Sequence, residues 1–413
     1  MGGNAALFQS PQDSRRAGIG MVHQHFTLVP KMSVRDNLLL SELDGLGGTL
    51  DEEALLQAPK QVAEKLGWEI PWKEAAGTLS VGIQQRIEVL KVLSLDPSIV
   101  IFDEPTASLS PGEVESLFEK IRELAGTGKT VILIAHKLSE VFSVADRISV
   151  LRRGEWIGTQ NRDKITPDEV ALMMLGEAPT RISEQELTSG PALIMCERIV
   201  VDHGGLRKVD EVSINIHEGE IVGIGGVDGN GQVEFAEFLA GVRKSSSGVV
   251  TTELDPRLVG YVPQSRSTEG LALTMSIEEN CLVGCERDEP PYAKGILRTQ
   301  PWKTGVSELL KDFDVRFGGA SDRAETLSGG NQQKVILGRV LRRNPKLLIV
   351  HNPTRGLDFH AVGAIHRKLR EAAARGCAVV LFSTDKDELD EVATRQLFMG
   401  RGRLFQTEAE ALQ

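Results

Sequence analysis

A chain of 413 residues exceeds what one hydrophobic core ordinarily supports, since single cores stop growing near ~250–300 residues, so two domains are expected. Its 41% hydrophobic and 25% charged residues match an ordinary globular protein and exclude extensive disorder. A net charge of −11 argues against a surface built to grip nucleic acid.

The chain starts Met-Gly-Gly-Asn-Ala-Ala-Leu-Phe, without the charged-then-apolar profile of a signal peptide. No run approaches the ~18–20 apolar residues that span a bilayer, so a cytosolic protein, or one held at a membrane through partners, is expected. Further along, residues 79–86, LSVGIQQR, return at 327–334 as LSGGNQQK, 248 residues later. The offset then holds without a gap: Pro105-Thr106 falls on Pro353-Thr354, Glu140 on Glu388, Gly154 on Gly402 and Thr159 on Thr407.

In each copy a glutamine-rich helix follows the repeated segment. A proline (Pro97, Pro345) then leads into a short apolar run, SIVIFDEPT or KLLIVHNPT, with the length and β-branched content of a buried strand. A polar helix and a second apolar strand come next, TVILIA in one copy and AVVLFS in the other. Strands alternating with helices predict an α/β domain with a mostly parallel sheet covered on both faces, twice over. Between the copies, residues 161–190 are polar, contain Pro167, Pro179 and Ser-Gly-Pro at 189–191, and read as a linker with one short helix. The expected domains are therefore 1–160 and 191–413.

The second copy opens with the strand GEIVGI and a glycine-rich turn, residues 223–234, that runs into a helix. Glycine N–H groups and a helix N-terminus in that setting cradle a polyphosphate. Gly226, Gly229, Asn230 and Gly231 form the cradle, but against GxxxxGK[ST] the lysine is replaced by Gln232 and the Mg²⁺-binding hydroxyl by Val233. In LSGGNQQK, Ser328, Gly329 and Gly330 open a helix and present a hydroxyl and free N–H groups to an anion. A lone serine of this kind is more often a helix N-cap, yet the same segment occurs twice, with Ser80 and Gly82 in the first copy.

Together these motifs resemble those of ABC-type ATPases. LSGGNQQK and LSVGIQQR match the signature segment and IVIFDEPT the Walker B strand. The turn around Gln24 and that around Gln264 resemble Q-loops, and His136 resembles the switch histidine. The NQQK ending, the PTRGLD segment at 353–358 and the lysine-free loop are similar to tandem ATP-binding subunits of bacterial sugar and nucleoside importers. The resemblance implies two ABC-type domains, each a mostly parallel sheet with a helical subdomain, and ATP with Mg²⁺ as cofactors. It implies membrane-spanning permeases and an extracytoplasmic substrate-binding protein as partners. The expected location is peripheral, on the cytoplasmic face of the membrane.

By the same resemblance each nucleotide is held between the loop and Walker B strand of one domain and the signature of the other. Asp103 and Gln24 are implied as Mg²⁺ residues, Glu104 as the group orienting the attacking water, and His136 as a γ-phosphate contact. Ser328 and Gly330 would close over that nucleotide. In the second copy His351, Asn352 and Thr384 stand where aspartate, glutamate and the switch histidine are expected, which predicts a site without turnover. Gln264 would then serve contact with the permease alone.

The repeat also predicts that the first copy's phosphate loop falls before residue 1, because Gly226 precedes Gln264 by 38 residues and Gln24 has no such space ahead of it. Roughly 50 residues would be missing, and the chain as written is expected to hydrolyse ATP negligibly. A late start codon, a true truncation and a split gene each account for this; the intact Gln24, Glu104, His136 and Ser328 favour the first. The rival readings are an inactive interaction or regulatory ABC protein, and a non-transport ABC ATPase in translation or DNA repair. The latter predicts two intact sites, a basic linker or zinc-binding cysteine sets, and none is present. His23 and His25 lack a third ligand, Asp202 and His203 show no partner, the run at 288–291 reads as a loop, and Cys196, Cys281, Cys285 and Cys377 contain no CxxC pair and read as buried or incidental thiols.

Overall fold

The computed structural model describes every residue outside 1–5, 25, 43–50, 107, 108, 110, 136, 153, 177–186, 285–291, 294, 295, 298, 358 and 413. Its contacts divide the chain into two compact units, Met1–Pro179 and Thr180–Gln413. Among the described residues no helix is long and apolar enough to cross a membrane.

In the first unit three parallel strands form the sheet β1–β2–β3, with β1 at Ile19–Val22, β2 at Ile99–Asp103 and β3 at Thr130–Ile134. Val22 pairs with Phe102, and Asp103 with Ile134, so the segments leaving all three strands emerge side by side. Val22, Val100 and Phe102 are fully buried and pack on Val89, Val92 and Leu93 of the helix Val81–Leu93 and on Phe118 and Ile121 of the helix Pro111–Gly126. A second core under the helices holds Leu28, Val34, Leu38, Ile87 and Leu90.

Strands β4 (Arg147–Arg152) and β5 (Glu155–Asn161) pair antiparallel. The helix Pro167–Leu175, in the stretch read as a linker, buries Val170 against Ile148 and Val150 of β4 and so belongs to this unit. A capping box between Thr166 and Glu169, with Pro167 at the first turn, explains where that helix starts.

The second unit has three layers. Its central sheet runs β10–β13–β14–β8–β15–β16, and every neighbouring pair is parallel except β15 with β16. These strands are β8 (Ile221–Gly225), β10 (Val259–Val262), β13 (Leu347–His351), β14 (Ala378–Phe382), β15 (Arg395–Gly400) and β16 (Arg403–Phe405). All residues of β8, β13 and β14 are buried, as continuous apolar runs predict for a sheet covered on both faces. One face packs on an antiparallel sheet of β6 (Ala192–His203), β7 (Leu206–His217) and β9 (Ser247–Thr251) and on the helix Gln232–Leu239. The other packs on the helices Gly329–Leu341 and Phe359–Ala374, with the helix Thr299–Asp312 in the same core; β11 (Tyr292–Ala293) and β12 (Ile296–Leu297) pair as a small antiparallel hairpin.

The two sheets differ in cover. In the second unit β14 lies between β13 and β8; in the first, β3 has β2 on one side and, among the described residues, no strand on the other. Ile132 and Ile134 of β3 are accordingly 46% and 45% exposed, whereas Val380 and Phe382, at the matching places in β14, are fully buried.

Candidate nucleotide site

Ligands of open parallel sheets bind beyond the carboxyl ends of the strands, where loops converge. In the first unit those loops carry Gln24 after β1, Asp103 and Glu104 at the end of β2, and the segment to residue 136 after β3. Gln24 Nε2 donates to Glu104 Oε2 at 2.6 Å, so two residues 80 apart in sequence meet. Glu104 has φ of +44°, a left-handed conformation unfavourable for a residue with a Cβ, held because its N–H donates to the Ile134 carbonyl at 2.9 Å. Thr106 fixes the turn from behind, its hydroxyl donating to Glu140 Oε2 at 2.7 Å. Carboxylate and amide oxygens are hard donors that suit Mg²⁺, which takes one or two carboxylates and leaves its other positions to phosphate and water. Among the described residues no three His, Cys, Asp or Glu side chains gather as an all-protein metal cage. His136 and His25 lie outside the described residues, as do Cys285 and the run at 288–291.

The second unit repeats this backbone with other side chains. Asn352 has φ of +46°, and its N–H donates to the Phe382 carbonyl at 2.8 Å; Thr354 donates to Glu388 Oε1 at 2.8 Å. His351 is 2% exposed, and burial pushes its pKa down to about 4, so it is a neutral imidazole. Its Nδ1 and the Asn352 Nδ2 are buried without a hydrogen-bond partner. Asn352 Oδ1 is taken by the Thr384 N–H at 3.0 Å. A neutral ring and an amide do not replace the two carboxylates, and this set does not fit Mg²⁺.

The glycine-rich loop follows β8. Gly226 (φ +133°) and Gly231 (φ +101°) cannot carry a side chain, because a Cβ would collide with the Met399 and Lys208 carbonyls respectively. The glycine turn is formed, and Gln232 has folded into it. Its Oε1 accepts the Asn230 N–H at 3.0 Å and its Nε2 donates to the Val227 carbonyl at 2.8 Å. One N–H available for phosphate is thereby used internally. Asn230 is tied down further, Oδ1 accepting the Arg401 N–H at 2.9 Å. Gly229 (φ +93°) faces open space. Gln264 donates to Asp228 of this loop at 3.4 Å, and Arg355 holds the other Asp228 oxygen at 3.1 Å.

Both signature serines cap helices. Ser80 and Ser328 share φ −61° with ψ 154° and 156°, and accept from Ile83 N–H at 3.4 Å and Asn331 N–H at 3.5 Å; Asn331 Nδ2 also donates to Ser328 Oγ at 2.9 Å. Capping and anion binding are compatible, since a cap satisfies one of the first-turn N–H groups and leaves the others. Gly82 is buried, and Gly329 and Gly330 are half-buried.

A network that the sequence reading missed lies behind the second turn. His366, 1% exposed, places Nε2 3.2 Å from Glu388 Oε1 and Nδ1 3.1 Å from Glu391 Oε2, and Ser383 donates to Glu388 Oε2 at 2.5 Å. Burial alone would lower the pKa of this imidazole; the hydrogen bond to Glu388 and the charges of both glutamates outweigh it and hold it up to about 9. The 248-residue offset carries the signal that could have found it, because His366, Glu391 and Ser383 fall on Phe118, Ser143 and Ala135.

The model of the ABC transporter family matches residues 3–107 and 209–355, the stretches that hold β1, β2 and the first signature, and β8, β13 and the second. The chain belongs to the ABC transporter family. It is 37% identical to the nucleoside import ATP-binding protein NupA of Lactococcus lactis over 97% of this chain and 82% of that protein. It is 38% identical to the guanosine import ATP-binding protein NupO of Bacillus subtilis, over 98% and 82%. Ribose import ATP-binding protein RbsA of Halalkalibacterium halodurans is 32% identical over the same shares. Among solved structures, an RNase-L inhibitor shares the fold with TM-score 0.67 and 23% identity, over 97% of this chain and 77% of that one. The α/β class and the tandem ABC domains expected from the sequence are thus borne out, as is the similarity to import ATP-binding proteins for sugars and nucleosides.

Proposed function

We propose that this chain is the energy-coupling ATPase subunit of an importer for a sugar or a nucleoside, in which ATP is hydrolysed at one composite site and not at its counterpart. In that site Asp103 and Gln24 hold Mg²⁺ when it is bound, Glu104 orients the attacking water and His136 contacts the γ-phosphate. Ser328, Gly329 and Gly330 of the second unit close over the same nucleotide. Gly226, Gly229, Asn230, Gly231, Gln232 and Gln264, with Ser80 and Gly82 of the first unit, frame the counterpart site, which serves as structure. The subunit works at the cytoplasmic face of the membrane, docked on permease subunits that receive cargo from an extracytoplasmic binding protein.

The observation that carries this reading is the asymmetry of two matching turns: Asp103 with Glu104, bonded to Gln24, against His351 with Asn352, each bearing an orphaned nitrogen. Phosphoryl transfer is driven by positioning and charge neutralisation, which the first set provides and the second does not. The test is steady-state hydrolysis by the subunit extended to carry the first unit's phosphate loop and assembled with its permeases. Glu104→Gln is expected to lower the rate by about 10²–10³-fold, the usual cost of one preorganised transition-state contact, while Asn352→Ala leaves it within about twofold. The reverse pattern would overturn the assignment.

A further inference from the structure

The two signature helices begin with the same turn and carry opposite charges on it. In the first unit, a Cβ added to Gly82 would overlap the Glu113 carboxylate, so an acidic group lies against the start of that helix. In the second unit the residue matching Glu113 is Ala361, and the group on the turn is the Arg266 guanidinium. A Cβ on Gly329 would stand 2.7 Å from Arg266 Nη2 and 2.9 Å from its Cζ. Arg266 Nη1 donates to the Arg355 carbonyl at 3.2 Å, three residues beyond Asn352. The side chain is half-buried and, among the described residues, has no carboxylate partner. Arg266 lies two residues after Gln264; the residue two after Gln24 is Phe26.

A helix N-terminus carries about half a positive charge, and a carboxylate there stabilises the helix. Glu113 thus neutralises the first signature from within the chain. Arg266 does the reverse: it sets a partly desolvated cation beside the positive end of the 13-residue helix Gly329–Leu341, and burial lowers its pKa. Among the described residues no carboxylate pairs with this guanidinium, and an anion docked on the turn would satisfy guanidinium and helix end together. The guanidinium is presented by a single π-helical turn, Arg266–Gly270, a distortion common at functional sites.

We propose that Arg266 is a further nucleotide-contacting residue, donating to the terminal phosphate of the ATP that Ser328, Gly329 and Gly330 close over. This rests on the composite-site reading above. Arg266 moves no proton and forms no bond; it offsets negative charge on the phosphoryl oxygens as the bond to the leaving ADP lengthens. Glu113 opposes the same phosphate at the other signature, which makes the two composite sites unequal on their signature sides as well as on their Walker B sides.

The test uses the subunit extended to carry the first unit's phosphate loop and assembled with its permeases, and compares wild type, Arg266→Ala, Arg266→Lys and Glu104→Gln for ATP hydrolysis, ATP and ADP affinity, and nucleotide-free Tm. Arg266→Ala is expected to lower hydrolysis roughly 100-fold and weaken ATP binding roughly tenfold, with ADP affinity unchanged and Tm unchanged or raised. Arg266→Lys should recover part of both losses. Wild-type hydrolysis in Arg266→Ala alongside a dead Glu104→Gln overturns this inference alone, and so does an equal loss of ATP and ADP affinity or a lowered Tm. Unimpaired hydrolysis in Glu104→Gln, or a wild type that neither binds nor hydrolyses ATP, overturns the composite site and this inference together.

Discussion

The turns after β2 and β13 make the same bonds and differ in what they can do. Glu104 and Asn352 hold left-handed conformations within 2° of each other in φ, their N–H groups donate to matching carbonyls, and the threonine two residues on donates to a matching glutamate in each. Yet one turn ends in two carboxylates, and the other in a neutral imidazole and an amide. The left-handed backbone costs about 1–2 kcal/mol for a glutamate and less for an asparagine, whose short side chain tolerates it. The second unit therefore keeps the same backbone turn with less strain and without the two carboxylates. Backbone geometry here is maintained by the sheet and the Thr–Glu bond, independently of the groups that would meet a nucleotide.

The sharpest way to break this comparison is to try to repair the second turn. His351→Asp with Asn352→Glu should leave total hydrolysis of the assembled transporter within about twofold of wild type, since the loop still has Gln232 in place of lysine and its Asn230 N–H is still occupied. A second turnover site appearing in a Glu104→Gln background would show that the loop matters less than its hydrogen bonds indicate.

Next in size is the buried network around His366. His366→Phe, which installs the first unit's residue, leaves Glu388 buried at 3% exposure without its imidazolium partner and should destabilise the second unit by ~3–5 kcal/mol in denaturant unfolding. The reciprocal Phe118→His puts a polar ring into the first unit's core, where Ala135 and Ser143 stand at the sequence positions matching Ser383 and Glu391, and should also destabilise, by ~2–3 kcal/mol.

The same network sets a pH dependence. His366 has its folded-state pKa held up to about 9 against an ordinary 6.5, so its ion pairs contribute fully below about 6.5 and are lost as pH rises through about 9. His351 acts with the opposite sign: its pKa is pushed down to about 4, and its share of stability is lost as pH falls from 6.5 toward 4 while the unfolded chain takes up a proton. Unfolding measured from pH 5 to 9 should show a wild-type maximum between these limits. His366→Phe should flatten the alkaline limb and His351→Asn the acid limb.

The smallest expected effect is at the loop. Gln232→Ala removes two hydrogen bonds that brace the cradle and should cost ~1–2 kcal/mol, with hydrolysis unchanged. Loss of hydrolysis in that variant would assign the second loop more than a structural part.

Much of this was legible in sequence because it depends on local pattern. Apolar runs bounded by proline and turn residues marked β2, β3, β13 and β14, and the 248-residue repeat aligned the two turns and exposed His351 and Asn352 as departures. The linker stretch was less legible: the polar residues at its edges concealed that Val170 packs on β4. Long-range meetings were not legible at all. Gln24 reaches Glu104 across 80 residues, Arg266 settles on Gly329, and Gln232 folds into its own loop, none of which has a periodicity to betray it.

Residue identity alone determined which half could present acid groups at a strand end, because strand propensity, repeat spacing and side-chain chemistry are properties of short segments. Tertiary structure alone decided which charge rests on each signature turn and which imidazole is neutral or protonated. Those outcomes depend on burial and on neighbours brought together by the sheet, and two histidines with the same intrinsic pKa diverge to about 4 and about 9 for that reason.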